Sequence, residues 1–575
     1  SEQLPGLKFN GQVLRDSDGD GVVDTEDALP NHRAAWQDID GDGHPDVWSL
    51  NCNNACIAGS GLILDQFPDH AWAYLDADFD GLVDGINNCS SDCEFDGLTK
   101  DGALGDFDND GILDSDDNDS NNDGIENVDA DQDGLIEIAS LDELNAMRFQ
   151  LEGVGLQLTA DTELDVSGCP FVIHQGTYQQ RCFGYELTQN LDFDSNQNGQ
   201  SDSEDAYWNE GSDGISAGWL PVGNHSGPFA ATFNGNGYTI NNLVINRPET
   251  TLIGLFGYIQ EAVVENVALA GSHSSITGND YVGALIGYAS GGNQIRNILV
   301  AAKVSGNLRI GGLVGSIDIS GARSKMQIDN AVISGSISGS VAVGGLAGFL
   351  GASSDSDVFS VSAVLNTAFV EGALYVGGLV GRNNTDILVT NSYWAQDSSQ
   401  QTNSGGQSEA NSYVGLNLET LQCAVAANSD FSAGCVSDDG SAEGLNAAVV
   451  LYSGWDADVW DFGTHEQLPG LKFNEQVLRD SDGDGVFDEA DSFISNPAAS
   501  IDSDQDGQPD MWNAGCFSAC QAASGLILDS LLNDTDNDGA TNDVDSDFEH
   551  DNGKPILLTV APTIHTPVNT ADGSS

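Results

Sequence analysis

The 575-residue chain reads as mainly β: a right-handed parallel β-helix (β-solenoid) flanked by Asp-rich loop repeats. Three observations predict this. A Gly-rich six-residue motif recurs five times through the middle of the chain. The runs between its copies are apolar and strand-length, without a helical period. Spaced aspartates recur on both sides of that region.

Charge sets the first limits. There are 16 Lys+Arg against 90 Asp+Glu, a net charge of −74. No basic face is available to displace counterions from nucleic acid, and docking on an anionic membrane is equally disfavoured. No apolar run is long enough to insert into a membrane. The ten cysteines fall into five close pairs: Cys52/Cys56, Cys89/Cys93, Cys169/Cys182, Cys423/Cys435 and Cys516/Cys520. Tight local pairs read as disulfides, and so as a secreted, extracellular or cell-surface location. Zinc is the alternative, but no second Cys or His pair stands at finger spacing.

The chain repeats itself. Residues 2–24 and 466–488 differ only at Gly11/Glu475 and Val23/Phe487. The register holds at an offset of 464 through Trp48/Trp512, Cys52/Cys516 and the GLILD segments 61–65 and 525–529. The second copy carries only Cys516 and Cys520, so these pair most simply with each other, and by homology Cys52 pairs with Cys56.

The acid follows a pattern, Asp-x-Asp-x-Asp-Gly-x-x-Asp-x-x-Asp. Its first instance is Asp16, Asp18, Asp20, Gly21, Asp24 and Asp27. A hard dication such as Ca²⁺ takes six to eight oxygens: carboxylates from positions 1, 3, 5, 9 and 12 and the carbonyl of position 7, here Val22. Gly at position 6 permits the sharp turn. In the N-terminal half the pattern recurs as Asp38, Asp40, Asp42, His44, Asp46; as Asp76, Asp78, Asp80, Leu82, Asp84; and as Asp106, Asp108, Asp110, Ile112, Asp114, Asp117. It continues as Asp119, Asn121, Asp123, the weakest copy, and as Asp129, Asp131, Asp133, Leu135, Glu137. A further copy is Asp194, Asn196, Asn198, Gln200, Asp202, Asp205. In the C-terminal part it returns as Asp480, Asp482, Asp484, Val486, Asp488, Asp491; as Asp502, Asp504, Asp506, Gln508, Asp510; and as Asp534, Asp536, Asp538, Ala540, Asn542, Asp545. Windows 38–49 and 502–513 end on Ser49 and Asn513, where the twelfth ligand is a water, a neighbouring side chain or nothing. A disordered acidic linker would not need regular Gly and apolar positions. The pattern resembles thrombospondin type 3 repeats and, more loosely, EF-hand and dockerin loops. That resemblance implies ion-wrapped coil in which several Ca²⁺ ions play a structural part.

The Gly-rich motif reads LIGLFG (252–257), VGALIG (282–287), IGGLVG (310–315), VGGLAG (343–348) and VGGLVG (376–381), with starts 30, 28, 33 and 33 residues apart. Asn266, Asn297, Asn330, Asn366 and Asn391 recur in step, with Asn242 one coil earlier. Such units are short for a propeller blade and suit a β-helix coil, in which equivalent Asn side chains bond up the stack. These motifs, with FNGNGYTINNLVI (233–245), YELTQNLDFD (185–194), GWLPVGN (218–224), DGLIEIASLDELNAMR (133–148) and VWDFGTHEQLPGLKF (459–473), resemble the GLUG-motif β-helix region of bacterial surface proteins. Some proteins with that motif are IgA1-cleaving metallopeptidases, but His465-Glu466 lacks the second His of an HExxH helix. No catalytic residues are assigned. Trp219, Trp394, Trp455 and Trp460 either stack on sugars or fill caps and core.

The expected organisation follows. Residues 1–10 end a preceding solenoid unit, and 11–140 form a calcium-binding region. Residues 141–204 are a lead-in and cap with a disulfide. Residues 205–473 form the solenoid with its C-terminal cap, 474–552 a second calcium-binding region, and 553–575 a linker or the start of a further module. The expected function is a calcium-stabilised structural or adhesive module of a secreted bacterial surface protein, tandem or head-to-tail in a stalk or filament. Its partners are other copies or neighbouring repeats, and then a surface glycan or a host or biofilm ligand. The alternative is a β-helix polysaccharide-degrading enzyme or a carbohydrate-binding module.

Overall fold

The computed structural model describes residues 7–9, 12–49, 54–76, 82–86, 127–174, 177–198, 201–208, 217–319, 325–352, 358–384, 388–403, 413–422, 454–463, 467–473, 476–513, 518–530 and 532–535, with positions 52, 98, 100, 405, 451, 452, 516 and 542. Outside the described residues lie the pairs Cys89–Cys93 and Cys423–Cys435, the whole loop 106–117, and the ligand positions Asp78, Asp80, Asp119, Asn121, Asp123, Gln200, Asp536, Asp538, Ala540 and Asp545. The chain divides into two compact units. One comprises Ser1–Glu137, Val154–Gln157 and Asp161–Phe183; the other comprises Ile138–Gly153, Leu158–Ala160 and Gly184–Ser575.

The first unit is built from short antiparallel hairpins. Ala35–Gln37 pairs with Val47–Trp48, Ala73–Leu75 with Gly85–Ile86, and Phe171–His174 with Thr177–Gln180. The first two pairs flank the acidic loops that begin at Asp38 and Asp76. Its buried apolar residues are mostly small, among them Ala34, Ala35, Ala73 and Val83, so apolar burial contributes little here. Among the described residues two disulfides staple it: Cys52–Cys56, with Cα atoms 5.3 Å apart, and Cys169–Cys182, at 4.9 Å.

The second unit is β-helix-like. Val263–Ala270, Gln294–Ser305, Lys325–Gly344 and Val358–Asn366 pair successively in parallel, so that Val264, Ile295, Ile328 and Val361 stand in register. A second parallel sheet joins Phe256–Gln260, Ile286–Ser290, Val314–Ile319, Ala347–Ala352 and Val380–Asn383. Its register partners are 30, 28, 33 and 33 residues apart, the same spacing as the Gly-rich motif. Like therefore stacks on like, and the apolar stripe is fully buried, at about 1.5–3 kcal/mol for each large aliphatic side chain. The glycines let backbones approach closely. A Cβ on Gly311 would stand 2.1 Å from the Val314 carbonyl oxygen.

An Asn ladder runs up this stack, on rungs partly different from those expected. Asn266 donates to Asn234 (2.9 Å), Asn297 to Asn266 (2.8 Å) and Asn330 to Asn297 (3.0 Å). The Trp460 indole closes the series on the Asn330 side-chain oxygen at 2.9 Å. Asn242 and Asn366 are not rungs. Asn242 bonds Asp192, and the buried Asn366 donates to the Gly378 carbonyl. The position in register with Asn330 is Ala363, which keeps the left-handed backbone (φ 53°) but has no amide to pass on.

All four singled-out tryptophans are buried, with indoles donating to Leu255, Gln401 and Asn391 carbonyls and to Asn330. They fill core and cap and offer no platform to a sugar. Trp455, Trp460, Tyr452, Leu421, Leu471, Phe473 and Phe487 form one apolar cluster with Tyr393 and Leu365. The Cys516–Cys520 bridge is formed, with Cα atoms 5.1 Å apart.

Asn297→Ala removes a donor and an acceptor from the ladder and leaves Ala at φ 55°. It should cost about 2–4 kcal/mol. Asn391→Ala, at φ 48° but outside the ladder, should cost only the backbone part, about 1 kcal/mol. Urea unfolding of the two variants checks the difference.

Candidate metal centres

Five acidic loops are fully described through their first nine positions: 16–24, 38–46, 129–137, 480–488 and 502–510. They share one hydrogen-bond scheme. The position-6 glycine N–H donates to the position-1 carboxylate: Gly21 to Asp16 (3.2 Å), Gly43 to Asp38 (3.0 Å), Gly134 to Asp129 (2.9 Å), Gly485 to Asp480 (2.8 Å) and Gly507 to Asp502 (2.9 Å). The position-7 N–H donates to the position-5 carboxylate, as Val22 does to Asp20 (2.8 Å) and His44 to Asp42 (2.7 Å). The position-9 N–H reaches the carbonyl just before position 1, as from Asp24 to Arg15 and from Asp488 to Arg479. Gly21 has φ 101° and Gly485 has φ 101°, a conformation that requires glycine in this turn.

Position 9 is also a staple. Its carboxylate accepts the N–H of position 2: Asp24 from Ser17, Asp46 from Ile39, Glu137 from Ala130, Asp488 from Ser481 and Asp510 from Ser503. Where position 2 is Ser, its hydroxyl takes the second oxygen as well, at 2.8 Å in Asp24 and 2.7 Å in Asp488. Where position 2 is Ile39 or Ala130, the second oxygen of Asp46 or Glu137 stays buried without a hydrogen-bond partner. The residue type at position 2 thus decides how much of position 9 is left for an ion.

The carboxylates converge. Ligand atoms of Asp16, Asp18 and Asp20 lie within 4.8 Å of one another, as do those of Asp38, Asp40 and Asp42 and those of Asp129, Asp131 and Glu137. One oxygen of the position-3 carboxylate is buried and unpartnered in Asp18, Asp40, Asp482 and Asp504. Burial, and then neighbouring carboxylates, push Asp27 up to about 6 and Asp491 to about 7. Asp129 is raised to about 7 by burial and by Glu137. Asp482 and Asp484 are raised much further by burial and then by neighbouring carboxylates, Asp480 and Asp491 acting on both. Carboxylates so desolvated are stable as anions only beside a cation, so these residues fit a hard dication.

Other predicted sites are arranged differently. At 194–205 the side-chain amides of Asn196 and Asn198 donate to Asp202, at 3.5 and 2.8 Å, and satisfy it internally. That holds Asp202 below the usual carboxylate range, first through the Glu204 N–H and then through Asn198. Of the loop starting at Asp76, Leu82 and Asp84 are also described, with the Asp84 N–H on the Leu75 carbonyl. Of the last loop, Asn542 accepts the Thr535 N–H at 3.1 Å, the same staple. Ser140, position 12 of the window that begins at Asp129, is the N-cap of the helix Leu141–Ala146. Cys169 and Cys182, beside Asp129, are joined as a disulfide and offer no thiolate.

The second copy's first loop is set into the β-helix-like unit. A Cβ on Gly483 would stand 2.8 Å from the Thr367 side chain, and Gln422 donates to the Ser481 carbonyl at 2.9 Å. A Cβ on Gly485 would stand 2.7 Å from the Gly335 Cα.

No family model matches the chain. Halomucin of Haloquadratum walsbyi is 34% identical over 140 residues, which are 24% of this chain and 1% of that protein. A Gly-rich membrane protein of Evansella cellulosilytica is 40% identical over 77 residues, 13% of this chain and 9% of that protein. The chain therefore spans a small part of the length of these relatives. A crystal structure assigned as an immunoglobulin A1 protease from Bacteroides ovatus aligns over 59% of this chain and 93% of its own, with 16% identity and a TM-score of 0.35. At that score it carries no argument about this chain. No helix among the described residues is long and apolar enough to cross a membrane.

The raised carboxylates set the pH response of the ion-free protein. A folded-state value above the unfolded one stabilises the fold at low pH, and that stability is lost as pH rises through the folded value. With chelator, the melting temperature should be highest near the ordinary carboxylate value and fall as pH climbs through about 6 to 7, the range set by Asp27, Asp129 and Asp491. Excess Ca²⁺ should reverse the trend, because it binds the anions. Calorimetry across pH with and without chelator reads both.

Proposed function

We propose that this chain is a calcium-stabilised structural and adhesive module of a secreted surface protein, in which a right-handed β-solenoid alternates with ion-wrapped spacers. The observation that carries the reading is the buried, unpartnered position-3 oxygen repeated in Asp18, Asp40, Asp482 and Asp504. Its recurrence in loops with one shared bonding scheme supports a dication at each. Partial matches to halomucin and to a Gly-rich membrane protein support a place at the cell surface, and the disulfides support an oxidising compartment.

Head-to-tail growth is part of the proposal. Leu7–Phe9 and Gln12–Leu14 form the same hairpin as Gly470–Phe473 and Gln476–Leu478, with Leu7↔Leu14 matching Leu471↔Leu478. In the second copy that hairpin contributes Leu471, Phe473 and Leu478 to the aromatic cluster, so the first copy's natural seat is an equivalent cluster on another unit.

A carbohydrate-binding reading has one observation in its favour. Tyr258 and Tyr288 stand in register on one sheet face, and Phe349 lies further along the same ladder. It ranks second because the Tyr258 and Tyr288 rings meet edge to face, 64° apart, rather than presenting one flat platform.

Chelation should lower the melting temperature and expose 11–140 to protease, and Ca²⁺ should restore both. Each independent site contributes about 2.7 kcal/mol at a hundredfold excess of ion over Kd. Equal melting and equal protease resistance in chelator and in Ca²⁺ would sink the calcium reading. In sedimentation with Ca²⁺ at rising concentration, growing species are expected; a monomer throughout contradicts head-to-tail growth.

A further inference from the structure

We infer that Asp65 and Asp529, each 27 residues beyond the start of an acidic loop that lacks a carboxylate at position 12, are the closing cation ligands of the loops at 38–46 and 502–510. The inference rests on the calcium reading and adds to it residues that lie outside the loop pattern.

The residues at position 12 are used elsewhere. The Ser49 hydroxyl donates to Asp20, in the preceding loop, at 2.8 Å. The Asn513 amide likewise donates to Asp484, in the loop preceding its own. Each therefore links one site to the previous one and leaves its own loop short of a ligand.

Asp65 fills that vacancy. It is 5% exposed, and one of its carboxylate oxygens is buried with no hydrogen-bond partner. Its backbone N–H is anchored on the Pro45 carbonyl, inside the 38–46 loop, at 2.8 Å. Its side chain stands beside Asp42, Asp40 and Asp46, the carboxylates of that loop.

Asp27, the position-12 residue of the first loop, has the same local build. Asp27 accepts the Leu29 N–H at 2.7 Å and Asp65 the Phe67 N–H at 2.8 Å. Both begin an Asp-x-x-Pro-x-His segment, 27–32 and 65–70. The His backbone N–H of each segment then turns back onto the carbonyl three residues earlier, His32 to Leu29 and His70 to Phe67, both at 2.8 Å. The segment closes its loop in the same way whether it follows at once or after the Cys52–Cys56 insertion.

Asp529 repeats the Asp65 position at the 464 offset, without the Pro and His of that segment. It is 8% exposed, its N–H bonds the Pro509 carbonyl at 2.9 Å, and its charge acts on Asp504. Two copies with the same displaced carboxylate make an accidental acidic neighbour a poor explanation.

The test counts bound Ca²⁺ per full chain after gel filtration and measures affinity by calorimetric titration. Asp65→Asn and Asp529→Asn should each remove one ion from the count, or weaken one site by at least about tenfold. Asp69→Asn, at an exposed neighbouring acid, should leave the count unchanged. Wild-type stoichiometry and affinity in both Asn variants would overturn the inference, as would loss of an ion in Asp69→Asn alone. If Asp65→Asn does not fold, Asp529→Asn decides by itself, since it reports on the second copy. A wild-type chain that takes up no Ca²⁺ defeats the calcium reading itself, a result distinct from either of these.

Discussion

Buried carboxylate oxygen without a donor is the interaction on which the acidic parts of this protein turn. Backbone N–H groups of each loop satisfy one oxygen of a carboxylate and leave another facing its neighbours, as in Asp18 and Asp40. Such an arrangement repels itself in a dehydrated site, and the apolar core around it is small. Here local hydrogen bonds shape a cage, and the cage is stable as an anion cluster only when its charge is met.

The β-helix-like unit solves the opposite problem. Its stacked coils carry little charge and achieve order by repetition. Equivalent residues stack through parallel pairing, with close backbone approach at glycines and an amide ladder from Asn234 to Asn330. One flank of the stack is covered by the cluster around Trp455 and Trp460, which includes Ala268, Leu299, Val332 and Leu365 from four successive coils. The loop at 480–491 is set into that unit against Thr367 and through Gln422. In this unit an acidic loop and apolar packing are thus joined: a change in the loop bears directly on the stack.

Much of this was legible in the residues. The 30, 28, 33 and 33 spacing of the Gly-rich motif reappears unchanged as strand register, because a parallel coil must return one circuit later. Local bridges such as Cys516–Cys520 were readable for a similar reason: four residues of separation leave few partners. The Asn rungs were harder. Aligning by the letter Asn put Asn366 in the ladder, whereas the backbone turns left-handed at Ala363, three residues earlier. The position-9 staple left no separate mark, since one Asp can serve an ion or an N–H with the same letter. Asp65 had a signal, the repeated Asp-x-x-Pro-x-His, but it lies outside the twelve-residue frame.

By itself, then, the sequence determined periodicity: which residues recur, at what spacing, and so which backbone turns and coils are built. Those properties depend on short-range sterics and on the match between neighbouring repeats. Only the tertiary structure decided partnership. It sent Ser49 to Asp20 and Asn513 to Asp484, brought Asp65 and Asp529 back onto loops 27 residues upstream, and buried all four tryptophans that exposure would have made binding platforms. The physical reason is that a carboxylate's role is set by what faces it, and what faces it here arrives from a different turn of the chain.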